Sequence, residues 1–398
     1  MDLIENPALM EPLLPPEGLR ELDDLSFDLI KAASSLAANL SPQIVGAIGA
    51  LVRSMNCYYS NLIEGHNTHP VDIERALKSD YSADPQKRVL QREASAHIEV
   101  QKLIDENLFP LPVCGQTFLR WVHLEFCKRL PEDLLEVRSA HSTETIKLLP
   151  GKLRTGEVKI GDHLAPVHSR LPEFLELFEK RYESPTLSKM QKIVAVAASH
   201  HRLLWIHPFY DGNGRVARLF SHAFLKQVGL GSSLWSVSRG LARTTQEYKS
   251  MLARADDWRQ GDVDGRGSLS QEGLIKFSEF FLITCLDQIK FMSSILDPGT
   301  LQLRIKRYCD EEESLGKLQR GSFPILREIL FTGELARGDV EAVTGYKDRQ
   351  ARKIVRALQD NELLVSESSR APLKLNIPHA VVERWFPKLY PAETLYSG

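Results

Sequence analysis

The stretch "HPFYDGNGRVAR", residues 207–218, sets a histidine and an acid ahead of two glycines and two arginines three positions apart. Asp-Gly and Asn-Gly are turn dipeptides, and alone they suit a surface turn or a hairpin. The flanking residues remove the hairpin. Upstream, Met190, Ile193, Val194, Ala197 and Leu204 form a helical stripe, and Ser188 with Gln191 fits a capping box. Downstream, Val216, Leu219, Phe220, Ala223 and Phe224 recur at helical spacing. The loop therefore joins two helices.

Arg215 and Arg218 fall in the first turn of the second helix and on one face, where the macrodipole disfavours cations. A bound anion reverses that argument. Gly212 and Gly214 leave backbone N–H groups free to wrap an oxygen, so the string reads as a polyphosphate cradle. His207, neutral near pH 7, can accept a hydroxyl proton. Asp211 suits Mg²⁺, which prefers one or two carboxylates plus phosphate oxygens. Pro208 and Phe209 read as structural, holding the loop against the core.

At every defined position this string resembles the Fic signature, His-x-Phe-x-Asp/Glu-Gly-Asn-Gly-Arg-x-x-Arg. The resemblance covers about residues 113–290. It implies a mostly α fold, a Fic-type helical core that moves AMP from ATP to a Ser, Thr or Tyr hydroxyl of a target protein or of the enzyme itself. By the same resemblance His207 is the general base and Asp211 holds Mg²⁺. Asn213 with the glycine amides serves the α-phosphate, and Arg215 and Arg218 serve the outer phosphates. "LRTGEVKIG" (153–161) resembles the small β-hairpin flap that pins the target, here with Val158, Ile160 and Gly161; Tyr248 stands where a family tyrosine lies near adenine.

"SNLIEGHN", residues 60–67, places Ser60 and Glu64 on one helix face, with Gly65 suited to a helix end. This fits the family's inhibitory pattern Ser/Thr-x-x-x-Glu-Gly/Asn. A carboxylate fork matches a guanidinium fork, so the expectation is that Glu64 pairs with Arg218 and takes it from the γ-phosphate.

The rest of the chain bounds these readings. With 398 residues, two or three domains are expected: an N-terminal helical segment (1–112), the Fic core (113–297) and a C-terminal winged helix-turn-helix domain (300–398). Helix-compatible runs fill 18–110, 116–130, 243–258 and 270–296, and a hairpin is expected around 158–167. Composition (43% hydrophobic, 26% charged) reads as soluble and globular, and 50 basic against 52 acidic residues give no overall field toward nucleic acid or membrane. Five scattered cysteines suggest reduced thiols, the N-terminus lacks a secretion signal, and "IVGAIGALV" is too short to span a bilayer. A cytoplasmic location without membrane contact is the expectation. "DVDGRGSLSQEG" (262–273) departs from a calcium loop at Arg266 and Gly273 and reads as a connection. His200 and His201 lack zinc spacing and read as one core and one surface residue.

In the C-terminal segment, Lys347, Arg349, Arg352, Lys353 and Arg356 line a helix whose Ile354, Val355 and Leu358 face inward, followed by β-prone "LLVSE" and "LKLNI". DNA is one partner for this basic face; a protein partner or a homodimer is the alternative. The string 207–218 does not read the base. Another nucleotide, another phosphate-linked group, AMP removal, or a DNA-binding regulator sensing nucleotide without turnover therefore stand as alternatives.

Overall fold

The structure, a computed structural model, describes residues 4–38, 42–138 and 145–391. Residues 1–3 and 392–398, the outer ends of the first and last expected segments, lie outside the described residues. The chain opens with α1 (Arg20–Ala38), α2 (Pro42–Ile63), α3 (Pro70–Leu77) and α4 (Pro85–Asp105), followed by α5 (Gln116–Cys127). The antiparallel pair β1 (Glu136–Arg138) and β2 (Thr145–Lys147) and the hairpin β3 (Lys159–Ile160) and β4 (His163–Leu164) come next. Then follow α6 (Leu171–Tyr182), α7 (Lys189–Ile206), α8 (Asn213–Gln227), α9 (Ser238–Arg243), α10 (Thr245–Asp256) and α11 (Gln271–Ile295).

These helices begin where the local chemistry allows. Asp84 accepts from the Gln86 N–H (2.8 Å) with Pro85 at the first position of α4, where a missing N–H costs nothing. The α7 capping box is present in both directions, Gln191 N to Ser188 Oγ (3.2 Å) and Ser188 N to Gln191 Oε1 (2.7 Å). Ser270 caps α11 through the Gly273 N–H. The 262–273 stretch connects α10 to α11, and Asp264 ties it by accepting from Gln260 N and Glu272 N at 2.9 and 2.8 Å.

Helix α7 is buried almost all round from Ile193 to Ile206, as expected for a central helix, and α8 packs against it after the loop that joins them. His200 and His201 both lie in this interior, which corrects the expected split between core and surface. A helix without a solvent face has no surface position to offer. Each ring is satisfied locally: His200 by Ser221 Oγ and Tyr248 Oη at 2.7 Å, His201 by the Leu252 carbonyl at 3.1 Å.

The proline-rich start crosses this core instead of leaving it. Met10 and Leu13 are fully buried, the Pro12 carbonyl accepts from the buried Arg202 guanidinium, and Tyr182 Oη donates to the Leu13 carbonyl at 2.6 Å. One continuous buried cluster runs from Ile4 to Tyr390, through all three expected segments.

The C-terminal part consists of α12 (Pro298–Ser314), α13 (Ser322–Thr332), β5 (Glu334–Leu335), α14 (Val340–Thr344), α15 (Asp348–Asp360), β6 (Leu364–Val365), β7 (Leu373–Leu375) and α16 (His379–Trp385). Its strands form one antiparallel sheet in the order β5-β7-β6. On α15, Ile354, Val355 and Leu358 are buried, and Arg349, Arg352, Lys353 and Arg356 are exposed, as is Lys347 just before the helix. Arg352 pairs with Asp348 and Arg356 with Asp360, which offsets part of that basic face. Among the described residues, no helix is long and apolar enough to cross a membrane.

Replacing Tyr182 by Phe leaves the Leu13 carbonyl buried without its donor. It is expected to lower unfolding stability by about 1–3 kcal/mol in denaturant titration.

Candidate active site

Helix α7 ends at His207, which adopts left-handed geometry (φ +50°) while its N–H still reaches the Leu203 carbonyl at 3.1 Å. A non-glycine residue there costs about 1 kcal/mol and must be held. Arg154 holds it. Its Nε donates to the His207 carbonyl at 2.9 Å, Nη1 to Gly156 O at 2.9 Å, and Nη2 to the Pro166 carbonyl; its backbone N–H bonds Pro208 O at 3.0 Å. The guanidinium thus caps the negative end of α7 and staples the β3–β4 segment beside the histidine. His163 adds a second tie, its Nε2 lying 2.7 Å from the Trp205 carbonyl.

Burial first, and then the Arg154 charge, push the His207 imidazole down to about 4. It is therefore neutral at physiological pH and able to take a proton.

Phe209 is fully buried and stacks on His123, ring centroids 4.1 Å apart and nearly parallel. His123 accepts from the Gly151 N–H through Nδ1 at 2.9 Å, and burial holds it neutral, with its pKa lowered to about 4. Asn213 closes the loop: its Oδ1 accepts from Phe209 N at 3.0 Å and its Nδ2 donates to Phe209 O at 2.8 Å. The side chain expected at the α-phosphate is thus committed at both ends to shaping the loop. Tyr210 Oη, 3.2 Å from Thr155 N, joins the loop to the hairpin. Asp211 stands exposed at the loop's outer edge.

Helix α8 starts at Asn213, after Gly212 in left-handed geometry (φ +79°), and receives no side-chain cap from that residue. Its first-turn N–H groups therefore carry the positive end of the helix dipole. The carboxylate of Glu64 sits over this turn: a β-carbon on Gly214 would collide with Glu64 Oε1 and lie 3.1 Å from Arg218 Nη1. Arg218 Nη2 donates to Glu64 Oε1 at 2.6 Å, and its Nε to Ser60 Oγ at 2.8 Å. The Arg218 side chain is 1% exposed.

Glu64 gets there by the ending of α2. Gly65 (φ +84°) turns the chain, with Gly65 N bonding Leu62 O and His66 N bonding Asn61 O, a Schellman arrangement. Burial alone would raise the Glu64 carboxyl, but the charge and hydrogen bond of Arg218 outweigh it and hold the group below the usual carboxylate range.

The remaining expected residues divide. Val158, Ile160 and Gly161 lie on the short β3–β4 hairpin, in the register Ile160↔His163, with Ile160 exposed and Gly161 at φ +58°. Arg215 is buried and turned to Glu93, Nη2 to Oε2 at 2.9 Å. Tyr248 is 3% exposed, and its hydroxyl donates to His200 in a chain that continues to Ser221 and the Ala217 carbonyl under α8. It supports the helix from below and presents no free surface to a ligand. Sequence reasoning passed over Arg154, His123, His66 and Glu93. Arg154 and His66 stood inside quoted strings; His123 and Glu93 carry no local signal, since the groups they meet, Gly151 and Phe209 for one and His66 and Arg215 for the other, are distant in sequence.

Comparisons with known proteins agree with this geometry. The Fic/DOC family model matches residues 130–225, which include the loop and the hairpin. A protein adenylyltransferase Fic from Nematostella vectensis is 31% identical over 176 residues, 43% of this chain and 37% of that protein. One of the same name from Drosophila erecta is 31% identical over 98 residues, 25% of this chain and 20% of that protein. The chain thus spans well under half the length of these curated relatives. A Fic family protein from Desulfovibrio desulfuricans G20 shares the fold at a TM-score of 0.52 and 17% identity, over 92% of this chain and 98% of its own. The loop beside this neutral histidine therefore belongs to a Fic/DOC domain at residues 130–225.

Proposed function

We propose that this chain is a protein adenylyltransferase that moves AMP from ATP to a Ser, Thr or Tyr hydroxyl of a target protein or of itself, and that Glu64 restrains it. One observation carries the reading: the chain's own carboxylate lies over Gly214 and on Arg218, where an uncapped helix end and a buried guanidinium favour an oxyanion. The names of the curated relatives support the same reaction.

In this reading the hydroxyl oxygen bonds to the α-phosphorus as the bond from that phosphorus to the bridging oxygen breaks. Pyrophosphate leaves, and the hydroxyl proton passes to neutral His207. The first-turn amides of α8 receive the phosphate oxygens, Arg218 the outer phosphate, and the β3–β4 hairpin aligns the target backbone. Among the described residues no group of three or more His, Cys, Asp or Glu could hold a metal ion. Asp211 offers a single exposed carboxylate, which fits Mg²⁺ brought with the triphosphate. Such an ion would offset phosphate charge. Residues 1–112, 113–297 and 300–398 are read as inhibitory segment, Fic core and winged-helix unit; α13–α15 followed by the β6–β7 hairpin support the last.

Loss of a charge-assisted hydrogen bond of about 1.5–3 kcal/mol corresponds to roughly 10–150-fold. Glu64→Gly is therefore expected to raise AMP incorporation by about that factor, read by intact mass with ATP and Mg²⁺, and adding His207→Ala to abolish it. An unchanged Glu64→Gly rate would remove the restraint from the reading, and incorporation surviving His207→Ala would remove the base.

Because the His207 pKa is depressed to about 4, its base form is present above that value. In the Glu64→Gly protein, kcat/KM is expected to stay flat from about pH 6 to 8 with no limb near the ordinary histidine value of about 6.5. In the same background, Gly214→Ala puts a methyl group where the phosphate would lie and is expected to eliminate ATP binding in calorimetry.

A further inference from the structure

Two residues past Glu64, His66 turns back toward α8 and meets a carboxylate from α4. Its Nδ1 lies 3.1 Å from Glu93 Oε2, and that same oxygen accepts from Arg215 Nη2 at 2.9 Å. Nη2 and Nδ1 are 3.3 Å apart. A carboxylate only accepts and a guanidinium only donates, so a protonated Nδ1 donates to Glu93, whereas an unprotonated Nδ1 has only Arg215 Nη2 to accept from and its bond to Glu93 is lost. One buried oxygen thus joins two segments, the loop after α2 and the first turn of α8.

The surroundings leave Glu93 as the counter-charge of Arg215. The two side chains are 12% and 7% exposed, Arg215 Nε is buried without a hydrogen-bond partner, and the guanidinium otherwise rests over the Phe126 ring at 5.1 Å. Burial pushes the Glu93 carboxyl up, but the His66 hydrogen bond and the Arg215 charge prevail and hold it ionised.

We propose that Glu93 is a positioning residue, fixing the Arg215 guanidinium at the nucleotide end of α8, and that His66 uses the same carboxylate as a second latch on the loop bearing Glu64. The proposal rests on the adenylyltransferase reading for what Arg215 is positioned to meet.

The latch has a direction in pH. The groups facing His66 are Glu93 from α4, Arg215 from α8 and Glu64 from its own loop. The Glu93 hydrogen bond raises its pKa, opposed by burial and by Arg215, and the net value lies above the ordinary one. A raised pKa means the latch is complete below about pH 6.5 and is lost as pH rises through the folded value.

The test uses ATP affinity by calorimetry in the full chain, which needs no turnover. In the Glu64→Gly background, Glu93→Ala is expected to weaken ATP binding about tenfold, and the nearly isosteric Glu93→Gln to weaken it less. Equal affinity in all three proteins, each folded by circular dichroism, overturns the positioning role. With Glu64 intact, ATP affinity is expected to rise between pH 6 and 8.5, and His66→Gln to hold it at the high-pH value throughout; a slope unchanged in His66→Gln overturns the latch. In histidine-labelled protein, the His66 NMR titration is expected to move to lower pH in Glu93→Gln, and an unmoved titration also overturns it. If these shifts occur and Glu64→Gly transfers no AMP, the adenylyltransferase reading fails while the Glu93 arrangement stands.

Discussion

Two buried guanidinium groups near the start of one helix set the constraint on which the site depends. Arg215 lies in the first turn of α8, where the dipole already presents positive charge, and Arg218 follows in the second turn instead of the expected first; both are buried. Buried charge without a partner costs several kcal/mol, so the surrounding chain has to answer each of them. Glu64 answers Arg218 from the end of α2, and Glu93 answers Arg215 from α4. The N-terminal helices pack on the core through a continuous apolar cluster, and these two ion pairs add to that contact. In the proposed reading a phosphate takes the place of the Glu64 carboxylate on Arg218, while Glu93 stays on Arg215.

Helix α2 is gripped from its other side as well. Tyr59, next to Ser60, donates through Oη to the Leu389 carbonyl at 2.9 Å, and Tyr390 meets Tyr58 edge-on with ring centroids 5.4 Å apart. Arg239 lies over Phe291 and donates to the Lys388 carbonyl at 2.8 Å. The segment that carries Glu64 is therefore held between α8 and the last described residues of the chain. Its displacement involves the C-terminal part as well as the ion pair.

Much of this was legible before the fold was known. The loop string, its flanking helices, the Ser188 capping box and the short hairpin all depend on interactions within a few residues, and local periodicity reports such interactions directly. The pairing of Glu64 with Arg218 was also expected, although on resemblance to a family pattern, since two charges 154 positions apart leave no local trace. His200 and His201 show where local reading stops: neighbours on a helix look like inside and outside until the helix proves buried on every side.

By itself the sequence determined the helix-loop-helix frame and the chemistry available there: an imidazole, an acid, amides and two cations in a fixed order. Those follow from bonding between near neighbours. Only the tertiary structure decided which groups stay free. Asn213 is drawn into the loop by the Phe209 backbone, Tyr248 is taken by His200, and Arg154 caps the helix that presents His207. A side chain's availability depends on what the rest of the chain brings within about 3 Å of it, and that distance is set by packing, which no run of adjacent residues encodes.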